Sequence, residues 1–450
     1  MLKRLWTSLF SNEIYRNSTK LFLGHAASQT LVFLSGPILS RLYSPSEFGH
    51  YALLSSIAGT ISIISTGCYE VASLTVKQEK EANILSLLSI FLSFATSIVS
   101  AIILSLLFIK SGAWKESILD AGWGLVPLFV FIQGVYNTTN YTLNRQKKYN
   151  TMSLSKGIRS AFMIPLQILF GIKDIFSGLY LGMLAGHLTG MAFQMKDSIT
   201  GYISTFHKTN TTEALKTAKT NYKFPLFFMP EQLINSVSAH APVFFLTIFF
   251  TENIVGLFSL PRRFLSAPIV LIGNSLGQIY FRDASFNRNN KQELAKTTAS
   301  LFRFLFRLGV IPFSFLIIFG DIAVQFTFGT GWELSGLYTM ILSPYLFMLL
   351  LGSPLSNIFA VTGKQKLSML ISIYLFVARV IAFLVGTFVF KSATISIILF
   401  SIVSFAFWFL TAFYNLHLSY NKIWPLFKEF FFLWFGILII MLLFRIQFLN

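Results

Sequence analysis

Residues 84–108 read ILSLLSIFLSFATSIVSAIILSLLF, twenty-five positions without a charged side chain. As an α-helix rising 1.5 Å per residue the stretch is about 37 Å long, enough to cross the roughly 30 Å hydrocarbon core of a bilayer. Outward from it, comparable apolar runs recur at 20–41, 48–69, 122–143, 155–172, 177–195, 224–250, 255–279, 302–327, 335–360, 367–390 and 393–416. Together they make twelve expected spans. A further stretch, 426–444, is long enough for a thirteenth, which leaves the count open between the two. At 54% hydrophobic and 12% charged residues, with mean hydropathy +0.67, the chain lacks the polar surface of a soluble protein of 450 residues. The reading is an all-α polytopic membrane protein.

Charge alternates between the gaps. Numbered from an inside N-terminus, the N-terminal arm and the even-numbered gaps, counted with the basic residues that open the spans after them, hold 26 of the 35 Lys and Arg, and the odd-numbered gaps, counted with Arg41, hold five. Lys and Arg accumulate on the cytoplasmic side, so the N-terminus is expected there. A net charge of +18 also raises a nucleic-acid reading. The charges are scattered among short loops with no RNA- or DNA-binding motif, so topology and anionic lipid headgroups account for them and no nucleic-acid partner is expected. Cys68, the single cysteine, excludes an internal disulfide and a cysteine metal cluster, and the six histidines show neither HxxxH nor HxH spacing. No metal is expected. Residues 2–15, where Lys3 and Arg4 flank Leu5, Trp6, Leu9 and Phe10, read as an amphipathic helix on the inner leaflet.

The longest polar interval, 196–223, separates two sets of six spans. The expected organisation is an arm (1–19), a six-helix bundle (20–195), a cytoplasmic linker (196–223), a second six-helix bundle (224–416) and an apolar tail (417–450). Glu47-Phe48-Gly49-His50-Tyr51 aligns with Ile254-Val255-Gly256-Leu257-Phe258, and Arg145-Gln146-Lys147 with Lys364-Gln365-Lys366, in the same order. Duplication of a six-helix unit, a common transporter plan, explains both matches, and chance similarity in an apolar chain is the competing account.

An intramembrane charge costs on the order of 2.5–3.5 kcal/mol on insertion scales, so it usually faces a cavity or a partner. Span 8 carries Arg262 and Arg263 beside Ser259, Ser266, Gly273 and Gly277. Span 7 places Glu231, Asn235, Ser238 and Pro242 on one helical face, with Glu231 about 10 Å into the helix. Span 2 has Ser55, Gly59, Ser62, Thr66 and Glu70; span 1 has His25, Gln29 and Gly36; span 4 has Gln133, Asn137, Asn140 and Asn144. A water-filled cavity between two halves would use all of these faces. Ordinary helix packing would also use Ser, Gly and Asn stripes. Arg262 and Arg263 have a second reading as snorkelling side chains. Arg379, deep in span 11, has one as the partner of a carbonyl or carboxylate, and Glu70 one as a loop-bonded carboxylate. No DxD pair, no Walker motif and no large outer loop is present, so no catalytic residue is singled out and no cofactor is expected.

Five segments together resemble the bacterial polysaccharide flippases of the multidrug/oligosaccharidyl-lipid/polysaccharide exporter superfamily. They are Arg41-Leu42-Tyr43-Ser44-Pro45-Ser46-Glu47-Phe48-Gly49, Thr66-Gly67-Cys68-Tyr69-Glu70-Val71-Ala72, Tyr222-Lys223-Phe224-Pro225-Leu226-Phe227, Gly329-x-x-Trp332 and Gly352-Ser353-Pro354-Leu355. The resemblance runs from about residue 20 to 420, and the tail departs from a plain twelve-helix plan. It implies two six-helix bundles around a cationic central cavity and translocation of a polyprenyl-diphosphate-linked oligosaccharide, such as an O-antigen or other surface-polysaccharide repeat unit, across the bacterial inner membrane. On this chain it makes Arg41, Arg262, Arg263 and Arg379 candidate ligands for diphosphate or acidic sugar, because a planar guanidinium bonds phosphate oxygens in pairs. Gln29, Asn137 and Asn235 would meet sugar hydroxyls. Glu231, and less directly Glu70, would serve proton or sodium coupling. Partners implied are the lipid-linked glycan, bilayer lipids, and a polysaccharide polymerase with its chain-length regulator. Two rivals stand beside it: a cation-coupled multidrug exporter, which wants acidic rather than arginine-rich cavities, and an integral-membrane enzyme of polysaccharide assembly.

Overall fold

A computed structural model describes residues 13–111 and 122–449. Most of the N-terminal arm lies outside the described residues. Sixteen α-helices make up the described chain: α1 (Glu13–Leu42), α2 (Pro45–Ser65), α3 (Tyr69–Ala72), α4 (Glu79–Ser111), α5 (Val126–Arg145), α6 (Tyr149–Ile172), α7 (Gly178–Lys208), α8 (Thr211–Thr220), α9 (Met229–Phe249), α10 (Glu252–Phe286), α11 (Lys291–Phe328), α12 (Glu333–Leu355), α13 (Ile358–Val361), α14 (Gln365–Leu384), α15 (Ala393–Leu418) and α16 (Ile423–Leu449). Each of the twelve expected spans, and the 426–444 stretch, falls on a long helix. Among the described residues nine helices are apolar enough throughout to cross a membrane. The other four, α1, α5, α6 and α7, have 20 to 31 residues and the length to cross, but carry more polar side chains.

Two compact units emerge, Met1–Phe244 and Phe245–Asn450. In the first, α6 packs along α1 and α7, while α5 packs against α2, α4 and α7. Leu54, Ala58, Val126, Phe129, Val130, Met163, Tyr180 and Met183 form its core. Helix α4 is inside-out: Ser86, Ser89, Ser93 and Ser100 are buried, while Phe91, Phe94, Ile98, Ile102, Leu106 and Leu107 face outward. Its serines bond back to carbonyls one turn earlier, as Ser89 does to Leu85 and Ser93 to Ser89, so burying them costs little. Such a helix suits an apolar solvent. The small-residue reading of a polar stripe therefore holds for α4.

Helix α7 reads Gly178, Gly182, Gly186 and Gly190 at four-residue spacing, the small-residue row that lets helix backbones approach in lipid. A Cβ on Gly182 would sit 2.4 Å from Gln167 Cγ, and one on Gly186 2.7 Å from the Arg159 carbonyl oxygen. These contacts set the α6–α7 spacing.

Most of the segments that carry the family resemblance are structural. Ser44 caps α2, and Glu47 returns the bond to the Ser44 backbone N–H at 2.8 Å, a capping box with Pro45 in the first turn. Tyr43 reaches across to donate to the Gln167 carbonyl at 2.7 Å. Gly67 and Cys68 both take left-handed backbone, φ +59° and 57°, and turn the chain after α2. Gly329, φ +89°, ends α11, and Trp332 beyond it is 1% exposed. A Cβ on Gly352 would meet the Trp408 ring at 2.8 Å.

In the second unit α12 packs on α10, α11 and α15, and α16 packs on α11. Phe430 and Trp434 of α16 enter an aromatic core with Phe306, Phe313 and Phe347. Two ion pairs pin α16 to α11: Arg303–Glu429 at 2.9 Å and Arg445–Asp321 at 2.6 Å. The Arg445 guanidinium also donates to the Ile318 carbonyl. Partners ascend together along both helices, so α11 and α16 are parallel over about 24 Å. If α11 crosses the bilayer, α16 crosses it in the same direction. Were all thirteen long helices to cross, the two chain ends would be expected on opposite faces. A cysteine added at the C-terminus should react with an impermeant maleimide from one face and a cysteine near the N-terminus only from the other. Reaction of both from one face would mean twelve crossings. Background is low, since burial, with the Glu70 charge adding to it, pushes the native Cys68 thiol up to about 12.

Candidate functional site

In the first unit polar side chains converge from three helices. On α5, Gln133, Tyr136, Asn137 and Asn140 recur at helical spacing. The Gln133 amide donates to Asn137 Oδ1 at 3.1 Å. Across from them on α7, fully buried Gln194 accepts from Thr139 at 2.7 Å and donates to Ser155 of α6 at 2.8 Å. Arg159 of α6 donates to His187 Nε2 of α7 at 3.3 Å, and its guanidinium lies 5.8 Å over the Tyr136 ring. His187 Nδ1 is 2.8 Å from the Met183 carbonyl, which only accepts, so Nδ1 carries the proton and Nε2 takes the arginine N–H. Ser28 of α1 bonds Ser160 at 2.5 Å and the Lys156 carbonyl at 3.2 Å, which ties α1 to this cluster.

Arg159, Lys156 and His187 were not among the residues expected from the sequence. Lys156 and Arg159 both fall inside the expected span 155–172, but at its start they count with the basic residues that mark its cytoplasmic side. The helix starts at Tyr149, six residues before the expected span, right after Lys147 turns left-handed at φ 57°. The missing Gly or Pro between 149 and 156 was the available signal.

Of the expected residues in this unit, Asn137 joins the cluster, while Gln29 follows Ser28 about 100° further round α1. Arg41 does not join it: it lies about 18 Å along α1 from Gln29 and donates to the Pro37 carbonyl of its own helix at 2.6 Å. Glu231 and Asn235 lie exposed in the first two turns of α9. Glu70, in α3 beyond the end of α2, is 6% exposed, with Oε2 unpartnered among the described residues. Burial holds its carboxyl above the usual carboxylate range, against a hydrogen bond from Thr66. A raised carboxyl favours the folded state only while protonated, so stability falls as pH rises through its folded value. Glu70→Gln should flatten this fall and raise the thermal midpoint at pH 8 over wild type, and an unshifted midpoint at every pH would reject it. Nearby, Arg145 donates to the Ser73 and Val76 carbonyls, both at 2.7 Å, and closes the loop after α3. Lys77, Glu79, Asn83 and Arg145 line a cavity of about 300 Å³ there.

In the second unit Arg379 of α14 is 8% exposed, although about 20 Å into its helix. Its Nε donates to Ser404 Oγ at 2.9 Å, and its guanidinium lies 5.0 Å from the Phe400 ring and 5.6 Å from that of Tyr345. The Tyr345 hydroxyl is a further hydrogen-bond partner, and Arg262 of α10 lies within electrostatic range. Arg262 stacks on Phe258 at 5.8 Å, and Phe258 meets Phe400 at 6.5 Å. Two guanidinia thus share one aromatic floor. Arg263, the next residue on α10, points about 100° away around the helix and is only partly buried. Tyr345 was also missing from the expected residues; hydropathy reads it as one more apolar position of span 10. Among the described residues no group of three His, Cys, Asp or Glu could hold a metal.

The lipid II flippase MurJ in its inward closed conformation has the same fold, with TM-score 0.69 at 13% identity over 95% of this chain and 92% of that one. A multidrug resistance MATE family transporter of the MOP superfamily is similar in its inward-facing form, with TM-score 0.61 at 17% identity over 90% and 94%. Its outward-facing form gives 0.60 at 17% over 91% and 96%. Residues 38–335 match the model of the polysaccharide biosynthesis proteins. The chain belongs to that family. No curated protein matches it in sequence. The family match spans the end of α1 to the start of α12, so it covers the first cluster apart from Ser28 and the Arg262 half of the second. Arg379 and Ser404 lie beyond it.

Proposed function

We propose that the protein is a flippase that moves a polyprenyl-diphosphate-linked oligosaccharide, an O-antigen or other surface-polysaccharide repeat unit, from the inner to the outer leaflet of a bacterial cytoplasmic membrane. One observation carries the reading: Arg379 is a buried cation whose hydrogen-bond and ring partners are all neutral, with a second guanidinium beside it. A charge buried among neutral partners, as Arg379 is, is costly to keep in a membrane unless an anion visits it. The polysaccharide biosynthesis family and the fold shared with MurJ support the same direction. The positive-inside charge pattern supports an N-terminus in the cytoplasm. With the inside negative, outward movement of a diphosphate gains roughly 4–5 kcal/mol per 100 mV. Glu231 is the acidic group that would add proton or sodium coupling.

The test uses purified protein in liposomes with a polyprenyl-diphosphate oligosaccharide labelled on its sugar and probed from one face. Loss of sidedness faster than in protein-free liposomes is expected, with any response to an imposed proton or sodium gradient lost in Glu231→Gln. No acceleration with several glycans, alongside efflux of a cationic dye, would move the protein to the drug exporters.

A further inference from the structure

The first unit carries a cation that the diphosphate reading leaves unused. Arg159 lies about 15 Å into α6, on the row of Met152, Ser155, Met163 and Gln167, which are all buried. Its own side chain is only partly buried there, which leaves it accessible at that depth. Its hydrogen bond to His187 occupies one of five N–H groups, and the others have no acceptor among the described residues. Lys156, one turn earlier on α6, is close enough for the two charges to repel, and no carboxylate pairs with either among the described residues. Two further atoms are left over beside them. The Tyr136 hydroxyl, on a side chain 5% exposed whose ring lies under Arg159, is buried without a partner, and so is Gln133 Oε1 one turn along α5.

This set is specific in chemistry. Guanidinium, ammonium and phenol present donors to an oxyanion, whereas Gln133 Oε1 only accepts and needs a hydroxyl or amide N–H. A phosphate dianion fills the first half and leaves the second orphaned. An acidic sugar fills both, its carboxylate on Arg159 and Lys156 and its ring hydroxyls on Gln133 and Asn137. Gly190, whose missing Cβ would lie 3.3 Å from both the Tyr136 ring and Arg159 Cβ, keeps the wall between them thin. We propose that Arg159, Lys156, Tyr136 and Gln133 form an acidic-sugar subsite in the first unit, so that the transported repeat unit contains a uronic-acid-type residue. The proposal deepens the flippase reading and rests on it for its biological meaning, but binding to the subsite is measurable without transport.

The full chain in lipid nanodiscs is titrated with methyl β-glucuronide, methyl β-glucoside and inorganic diphosphate, followed by saturation-transfer NMR. Wild type should prefer glucuronide to glucoside by about tenfold or more, the scale of one charge-assisted hydrogen-bond pair. Arg159→Gln should remove that preference, and Arg159→Lys should restore part of it. Lys156→Gln, at a half-exposed position, serves if Arg159→Gln fails to fold, and should weaken the preference several-fold. Equal binding of the two glycosides, or a preference untouched in Arg159→Gln and Lys156→Gln, would overturn the subsite. Diphosphate displacing glucuronide at equal concentration would overturn the acidic-sugar assignment. Glucuronide binding without flipping in liposomes would instead count against the flippase reading and leave the subsite standing.

Discussion

If the protein is the proposed flippase, Arg379→Met is expected to abolish flipping and to leave the protein as stable as wild type, or more so. Both halves follow from the same geometry. In the resting protein Arg379 has only Ser404, Tyr345 and two ring faces to offset the desolvation of a full charge. Replacing a buried charge by an apolar side chain of similar length is often neutral or stabilising by about 1–4 kcal/mol. On the flippase reading, the same charge would be the group that neutralises an arriving diphosphate. Truncating one side of a desolvated charge pair costs about 2–5 kcal/mol, a loss of roughly thirtyfold to several thousandfold in affinity. Arg262→Ala should act in the same direction on transport, since its guanidinium shares the Phe258–Phe400 floor. A flipping assay beside a thermal-aggregation midpoint separates the cases. A midpoint that falls by many degrees, with transport falling in proportion, would make Arg379 a packing residue and remove the main support for an anionic substrate.

Much of the fold was legible because hydropathy and charge obey one rule each in a bilayer. The 25-residue run at 84–108 and the alternation of Lys and Arg suffice for a bundle of long helices. The site was less legible, for reasons visible at particular residues. Arg262 and Arg379 stand out as charges in apolar runs, yet nothing in the spacing of residues 262 and 379 says that Phe400 and Tyr345 bring them together. Arg159 and Lys156 were hidden by the opposite effect: basic residues at the start of an expected span read as a topology signal rather than as part of a site. Arg41 sits in the most recognisable segment, and its neighbours Ser44, Pro45 and Glu47 are there to start α2. Motifs that identify the family mark turns and close approaches, where few residue types fit. Ligand-facing residues vary with the ligand and leave a weaker trace.

The glycine row of α7 gives the sharpest test of how packing positions that site. Gly186→Ala adds one methyl group whose carbon would lie 2.7 Å from both the Arg159 carbonyl oxygen and Met163 Cβ. Backbone cannot rotate away, so α6 and α7 must separate, at a cost of about 1–3 kcal/mol for an overpacked contact. Gly157→Ala, on α6, is the matched control, with nothing within 4 Å of the added carbon. There the change should be neutral or stabilising by about 0.5–1 kcal/mol through helix propensity. Gly201→Ala, on α7 itself, meets its nearest atom at an ordinary 3.6 Å and should be tolerated. The separation forced at Gly186 falls on the turn that holds His187 against Arg159, so Gly186→Ala should also weaken glucuronide binding, whereas Gly201→Ala should not. Equal midpoints for all three variants would mean that α6 and α7 are not held at the spacing on which the Arg159–His187 bond depends.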